Sequence, residues 1–243
     1  MRHVKGLTCG AALAAACVVV ARLHAAGEDD PDRLYRARAD LAMARRAADL
    51  WERRAAIDFQ SAWKLSRVCY WIGTHATEAE RRRALDRGVA AGEGAVRLAD
   101  NRPEGHFWLA ANMGTLAESS SVVQGLKYRG RIRSELERVI GIDPAWQGGS
   151  AHAALGQWYF EVPWLLGGSR TKAEEHLRRA LAIDTTSLVA LSFLADVVAA
   201  DGRRDEARAL LRRIVDAPLD PDWAPEDAEY KKSAADRLRR LGG

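Results

Sequence analysis

The chain is 243 residues long, enough for one large domain or two small ones and ample for a buried core. Apolar residues make up 48%, aromatic residues 7% and charged residues 29%, and the prolines are few and scattered, which excludes long disorder and collagen-like repeats. The formal charge is +4, but residues 1–26 hold Arg2, Lys5 and Arg22 and no acid, so the remainder carries 34 basic against 33 acidic residues, which argues against bulk affinity for nucleic acid.

The first element is a targeting segment. Arg2, His3 and Lys5 precede an uncharged apolar run at 7–21, and Ala25 and Ala26 lead into the acidic Glu28, Asp29 and Asp30, the three-part layout of a secretory signal. As a helix the run would span about 22 Å, short of a hydrocarbon core of roughly 30 Å. Residues 1–26 therefore read as a signal peptide or an N-terminal anchor, with lipidation on Cys17 as a third option weakened by Leu13 lying four places before it instead of three. Cleavage would leave Cys69 as the only cysteine, between Val68 and Tyr70 on an apolar helix, where a thiol serves as a small hydrophobe.

Residues 27–243 read as one domain. Apolar spacing of three and four predicts helices at 31–56, 59–73, 78–99, 103–119, 129–141, 148–161, 169–183, 187–200, 203–216 and 225–241, and no segment alternates as a strand. Thr77 with Glu80 and Thr171 with Glu174 fit the capping box, Pro103 and Pro225 fit first-turn positions, and Gly73, Gly141, Gly202 and the stretch 163–168 supply stops.

These helices pair with a period close to the tetratricopeptide template of about 34 residues. The fourth pair keeps the template without a gap: Leu191, Leu194, Ala195 and Val198 are followed by Ala207, Leu211 and Ile214. The third pair repeats it through Leu155, Gly156 and Tyr159, then Ala173, Leu177 and Ala180. The second and first follow more loosely, and the added residues are expected as long turns on one edge. Each pair exposes an apolar face it cannot bury alone, so pairs must stack and both ends need caps, for which 31–56 and 225–241 are suited. The expected fold class is an all-α, tetratricopeptide-like helix-pair solenoid with capping helices.

Four stretches then carry a family resemblance: Ala62-Trp63-Lys64-Leu65-Ser66-Arg67, His106-Phe107-Trp108-Leu109-Ala110-Ala111-Asn112, Leu155-Gly156-Gln157-Trp158-Tyr159, and Val162-Pro163-Trp164-Leu165-Leu166-Gly167-Gly168. Together these resemble the TRAP-transporter-associated T component (TatT) family of periplasmic helical-repeat lipoproteins, and the same pattern is similar to the eukaryotic regulators of microtubule dynamics. The resemblance implies a periplasmic binding protein without catalytic activity, often trimeric and pierced by a channel. Its implied partner is the solute-binding protein of a TRAP-type transporter, with a small hydrophobic or organic-acid ligand and a membrane tether through the N-terminus. A scaffold holding a peptide or assembly partner in the cell envelope is the alternative.

The concave side of such a solenoid is lined by the first helix of each pair, and the template positions select Lys64, Trp71, Trp108, Asn112, Gln157 and Phe160 as a mixed aromatic and amide groove. Asn112 in that setting is either satisfied structurally or meets a ligand. Arg67 stands where the template wants a small residue and so requires an acidic partner or an anion. Trp164 sits on a turn able to fold over a channel mouth. No catalytic, metal or cofactor motif emerges: the six histidines are dispersed, and the sequence lacks a Walker loop, a dinucleotide glycine fingerprint and a nucleophile elbow.

Overall fold

The computed structural model describes residues 30–118 and 122–242, with the side chains of residues 122–126 excepted. The expectations for residues 1–26, including the signal, the anchor and Cys17, lie outside the described residues. Among the described residues eleven α-helices follow in order: α1 Pro31–Arg36, α2 Leu41–Ala55, α3 Phe59–His75, α4 Glu78–Leu98, α5 Pro103–Glu118, α6 Val122–Ile142, α7 Trp146–Glu161, α8 Arg170–Ile183, α9 Leu188–Ala200, α10 Arg204–Asp216 and α11 Ala224–Arg240. A 3-10 turn, Trp164–Leu166, joins α7 to α8, and the described residues contain no strand.

The four pairs are α3 with α4, α5 with α6, α7 with α8, and α9 with α10, stacked as a tetratricopeptide solenoid. Small residues set their close approach. A Cβ at Gly156 would sit 2.6 Å from Leu177 Cγ, and one at Gly92 only 2.9 Å from the Leu109 backbone, so the helices touch where the sequence places glycine. The interior of the last two pairs is leucine-rich, with Leu155, Leu177, Leu191, Leu194 and Leu211 fully buried.

Several boundaries differ from the sequence reading for local reasons. The predicted helix 31–56 is two helices, because Asp40 caps α2 by accepting from the Ala42 amide at 2.8 Å and breaks the chain after α1. Gly73 is no stop: α3 runs through it, and its missing side chain makes room for Leu85, whose Cγ would lie 2.5 Å from an added Cβ. Gly141 likewise lies inside α6, whereas Gly202, at φ +79°, does end α9. The residues added to the second pair form helix, since α6 begins at Val122, and those added to the first lengthen α3 and α4; only the third pair's become a turn. Neither capping box forms. Thr77 makes no side-chain cap while Glu80 pairs with Arg45 at 2.8 Å. Ser169, not Thr171, caps α8, and Glu174 pairs with Arg203 and Arg178.

The two end caps meet, closing the solenoid on itself. Arg38, 2% exposed in the turn after α1, forms a bidentate ion pair with Glu226 on α11 and donates to the Asp222 carbonyl at 2.8 Å. The guanidinium lies over the rings of Tyr35 at 4.6 Å and Trp71 at 5.4 Å. Trp71 Nε1 donates to the Arg38 carbonyl at 2.7 Å, and His75 of α3 reaches Glu229 of α11 at 2.8 Å.

Candidate functional site

Closure leaves a cavity of about 1140 Å³ on the concave side, open in part to solvent. Its wall is drawn from the first helices of all four pairs, from Arg129 on α6, and from the Trp223 to Tyr230 face of α11, which lies across the solenoid. Trp108, Trp158, Phe193, Trp223 and Tyr230 give it an aromatic lining. A space of this size and chemistry suits an elongated, largely apolar ligand held by a few polar groups.

Those polar groups are present without partners. Trp108 is 5% exposed, yet its indole Nε1 has no hydrogen-bond acceptor, and neither Arg129 Nη1 nor Gln157 Oε1 has a partner among the described residues. All three residues line the cavity. Buried donors and acceptors of this kind are costly unless something binds them, and two donors with one acceptor match a carboxylate or carbonyl group beside a further donor. Gln157 is held in place by its own Nε2, which donates to Glu161 Oε1 at 2.8 Å. Trp158, adjacent to Gln157, is anchored by donating to the Arg129 carbonyl at 3.2 Å, which ties α6 to α7 at the cavity wall.

Tyr70 and Tyr230 complete one end. Burial pushes the Tyr70 phenol up to about 12, with the Glu118 carboxylate adding to the effect. Burial raises the Tyr230 phenol too, reinforced by Tyr70 and Glu226. Both therefore stay neutral beside the aromatic wall.

Of the residues singled out by sequence, Trp71, Trp108 and Gln157 come together on the cavity wall. Asn112 does not line the groove. It is 0% exposed, and its Nδ2 donates to the Ser66 carbonyl at 3.0 Å, to Ser66 Oγ at 3.2 Å and to the Trp108 carbonyl at 2.8 Å, clamping α5 against α3. Gly88 permits this, since a Cβ there would lie 2.1 Å from Asn112 Oδ1. Lys64 is engaged with Asp32 at 2.7 Å, outside the cavity. Arg67 makes no ion pair among the described residues: its guanidinium stacks on Tyr35 at 3.9 Å and on Trp63 at 4.9 Å, its buried Nε has no hydrogen-bond partner among them, and burial lowers its pKa. Phe160 packs on the core of the last two pairs, and Trp164 projects from the 3-10 turn away from the wall.

On α5 the lining face is wider than the template positions, adding Phe107, Ala111, Gly114 and Glu118 to Trp108 and Thr115. Sequence reading also missed Tyr70, Arg129 and the α11 residues. The stripe Trp223, Glu226, Asp227 and Tyr230, at spacings of three and four, was visible on a helix assigned only to sealing an end. Cys69 is buried, and burial pushes its thiol up to about 12, which keeps it an inert part of the packing. Among the described residues no group of three His, Cys, Asp or Glu side chains could hold a metal ion, and no helix is long and apolar enough to cross a membrane.

Residues 22–165 match the family described as regulator of microtubule dynamics protein 1-3, and residues 167–235 match a tetratricopeptide repeat family. No curated protein matches significantly. Among solved structures, a thermophilic TPR protein of Thermus thermophilus, TTC0263, is similar at 23% identity and a TM-score of 0.64, over 87% of this chain and 96% of that one. MamA is similar at 17% identity and a TM-score of 0.50, over 79% of this chain and 92% of that one. At such identities the likeness is one of fold.

Proposed function

This chain belongs to the regulator of microtubule dynamics protein 1-3 family and has a tetratricopeptide fold, and from that premise we propose that it is a non-enzymatic interaction protein of the cell envelope that holds an elongated ligand inside its closed solenoid. Repeat folds of this type serve in general as scaffolds for protein partners, which supports the coarser part of this reading. The single observation carrying the finer part is that three residues lining an aromatic cavity of about 1140 Å³ each hold a buried polar atom without a partner among the described residues, Trp108 Nε1, Arg129 Nη1 and Gln157 Oε1. The ligand class they fit has an apolar body and a carboxylate or carbonyl head.

The partner to test first is the solute-binding protein of a TRAP-type transporter. What supports it is the resemblance of the Trp63, Trp108, Trp158 and Trp164 stretches to the T components of such systems, together with the secretory layout of residues 1–26. A periplasmic location and a trimeric assembly belong to the same proposal.

Native mass spectrometry of the full chain from its host envelope reports assembly state and any retained organic molecule. Calorimetric titration with dodecanoate then probes the head-group contacts. Trp108→Phe removes the indole N–H donor together with part of the ring volume and is expected to weaken dodecanoate binding about tenfold, at a stability cost of about 1 to 3 kcal/mol. A chain that retains no organic molecule and ignores dodecanoate overturns the ligand reading and leaves the peptide scaffold in its place.

A further inference from the structure

The turn between α7 and α8 presents large apolar side chains to solvent by construction. Trp164 is 79% and Leu165 74% exposed. The turn that carries them is closed by its own backbone: the Leu166 and Gly168 amides donate to the Pro163 carbonyl at 2.8 and 3.1 Å, and the Ser169 amide donates to the Tyr159 carbonyl at 2.8 Å. Gly167 holds φ +102°, and a Cβ on Gly168 would lie 1.6 Å from the Val162 carbonyl oxygen. So rigid a turn fixes the two side chains outward.

We propose that this tip docks the mouth of the cavity onto a lipid bilayer surface carrying anionic headgroups. The side-chain chemistry is that of a bilayer interface, with an indole at headgroup depth and leucines beyond it. Cations flank the tip: Lys172 lies 5.3 Å over the Tyr159 ring and has no ionic partner among the described residues, and Arg133, which pairs with Glu137 at 3.4 Å, lies 5.8 Å over the Trp158 ring. Of the neighbouring acids, Glu174 is engaged with Arg203 and Arg178 and Glu175 with Arg179, while Glu161 accepts from the Gln157 amide. Val162, Pro163 and Leu166 belong to the cavity wall, so a bilayer meeting Trp164 and Leu165 abuts the cavity itself.

The sequence before the described domain points the same way. The apolar run at 7–21, flanked by Arg2, Lys5 and Arg22, ends eight residues before Asp30, and an extended chain of that length reaches about 28 Å. Tyr35, shortly after Asp30, lines the same cavity as Leu166. The inference does not depend on any ligand occupying that cavity.

Residues 1–29 contain no tryptophan, so intrinsic emission of the full chain reports the folded domain without interference from the N-terminal run. The full chain is mixed with vesicles of phosphatidylcholine and one-third phosphatidylglycerol, with and without bromine on the acyl chains. Brominated vesicles are expected to quench the wild type, and Trp164→Phe to abolish most of that quenching. Leu165→Asp, which keeps the fluorophore, is expected to lower the quenched fraction by about half or more, and vesicles of phosphatidylcholine alone to lower it further. Both substitutions lie at exposed positions, and circular dichroism with a melting curve verifies that the fold is retained. Equal emission from brominated and plain vesicles, or quenching that survives Trp164→Phe, overturns the proposal and assigns the tip to a protein partner or to water.

Discussion

The two cores of this molecule are built differently. From α7 to α10 the interior is leucine, valine and alanine at helical spacing, with Leu155, Leu177, Leu191, Leu194, Leu211 and Ile214 buried. From α1 to α4 alanine and large aromatic side chains, Ala44, Ala47, Trp51 and Trp71 among them, share the interior with Leu65, Val68 and Ile72, with Ser66 buried alongside and Arg38 and Asn112 sealing its edges. Where the repeat is well kept, burial of apolar area suffices to hold the helices in register. Where it is loosely kept, hydrogen bonds and a buried ion pair fix how the helices meet, and each such contact is one that only a single arrangement satisfies.

This comparison is open to direct attack. The largest effect is expected from Arg38→Ala, which leaves Glu226 without its partner and opens the junction of the two caps, at a cost of about 3 to 5 kcal/mol in urea unfolding. A loss below about 1 kcal/mol would show that the N-terminal core stands without this contact. Leu194→Ala, in the well-kept region, is expected to cost about 2 to 5 kcal/mol through transfer and cavity terms. Asn112→Ala is expected to cost about 1 to 3 kcal/mol, by stranding Ser66 and the α5 backbone, while leaving dodecanoate binding intact. Loss of binding with unchanged stability would return Asn112 to the groove.

A pH series sharpens the contrast within the stacked pairs. His106 on α5 lies against Glu135 of α6 at 2.5 Å; burial opposes its charge, but Glu135 and the Asp100 carbonyl outweigh burial and raise its pKa. Its contribution is full below about 6.5 and is lost as pH rises through the raised value. His176 on α8 faces His152 of α7, Nδ1 to Nδ1, at 3.0 Å; burial, then His152 and Arg179, bring its pKa down to about 4, against the weaker pull of Glu175. Its contribution is present above about 6.5 and is lost as pH falls toward 4. Melting curves of His106→Gln and His176→Gln against wild type should shift by a few degrees in opposite pH ranges, the first difference vanishing at alkaline pH and the second in acid.

The sequence made the repeat legible because its signal is local: a helix must place apolar residues three and four apart to bury one face, and Leu191 to Ile214 do so without interruption. Pairing order and the need for caps follow from that spacing, whereas the division of 31–56 into two helices does not. Trp108 and Gln157 were within reach for the same reason, since the first helix of each pair faces inward. The missing information was rotational and long-range. A shift of one residue turns a helix by about 100°, which separates Asn112 in the seam from Ala111 on the wall. Whether Gly73 stops a helix or admits Leu85 depends on what lies opposite, and local spacing does not specify this.

Composition and period thus determined an all-α solenoid and the approximate inward face of each helix, because these are set by contacts within a turn or between adjacent helices. Tertiary structure alone decided that the ends meet. Arg38 and Glu226 are 188 residues apart in sequence, and their pairing emerges only after each small rotation between successive helix pairs has accumulated round the solenoid. That accumulated curvature places α11 across the concave face and makes a cavity of what local spacing could describe only as a groove.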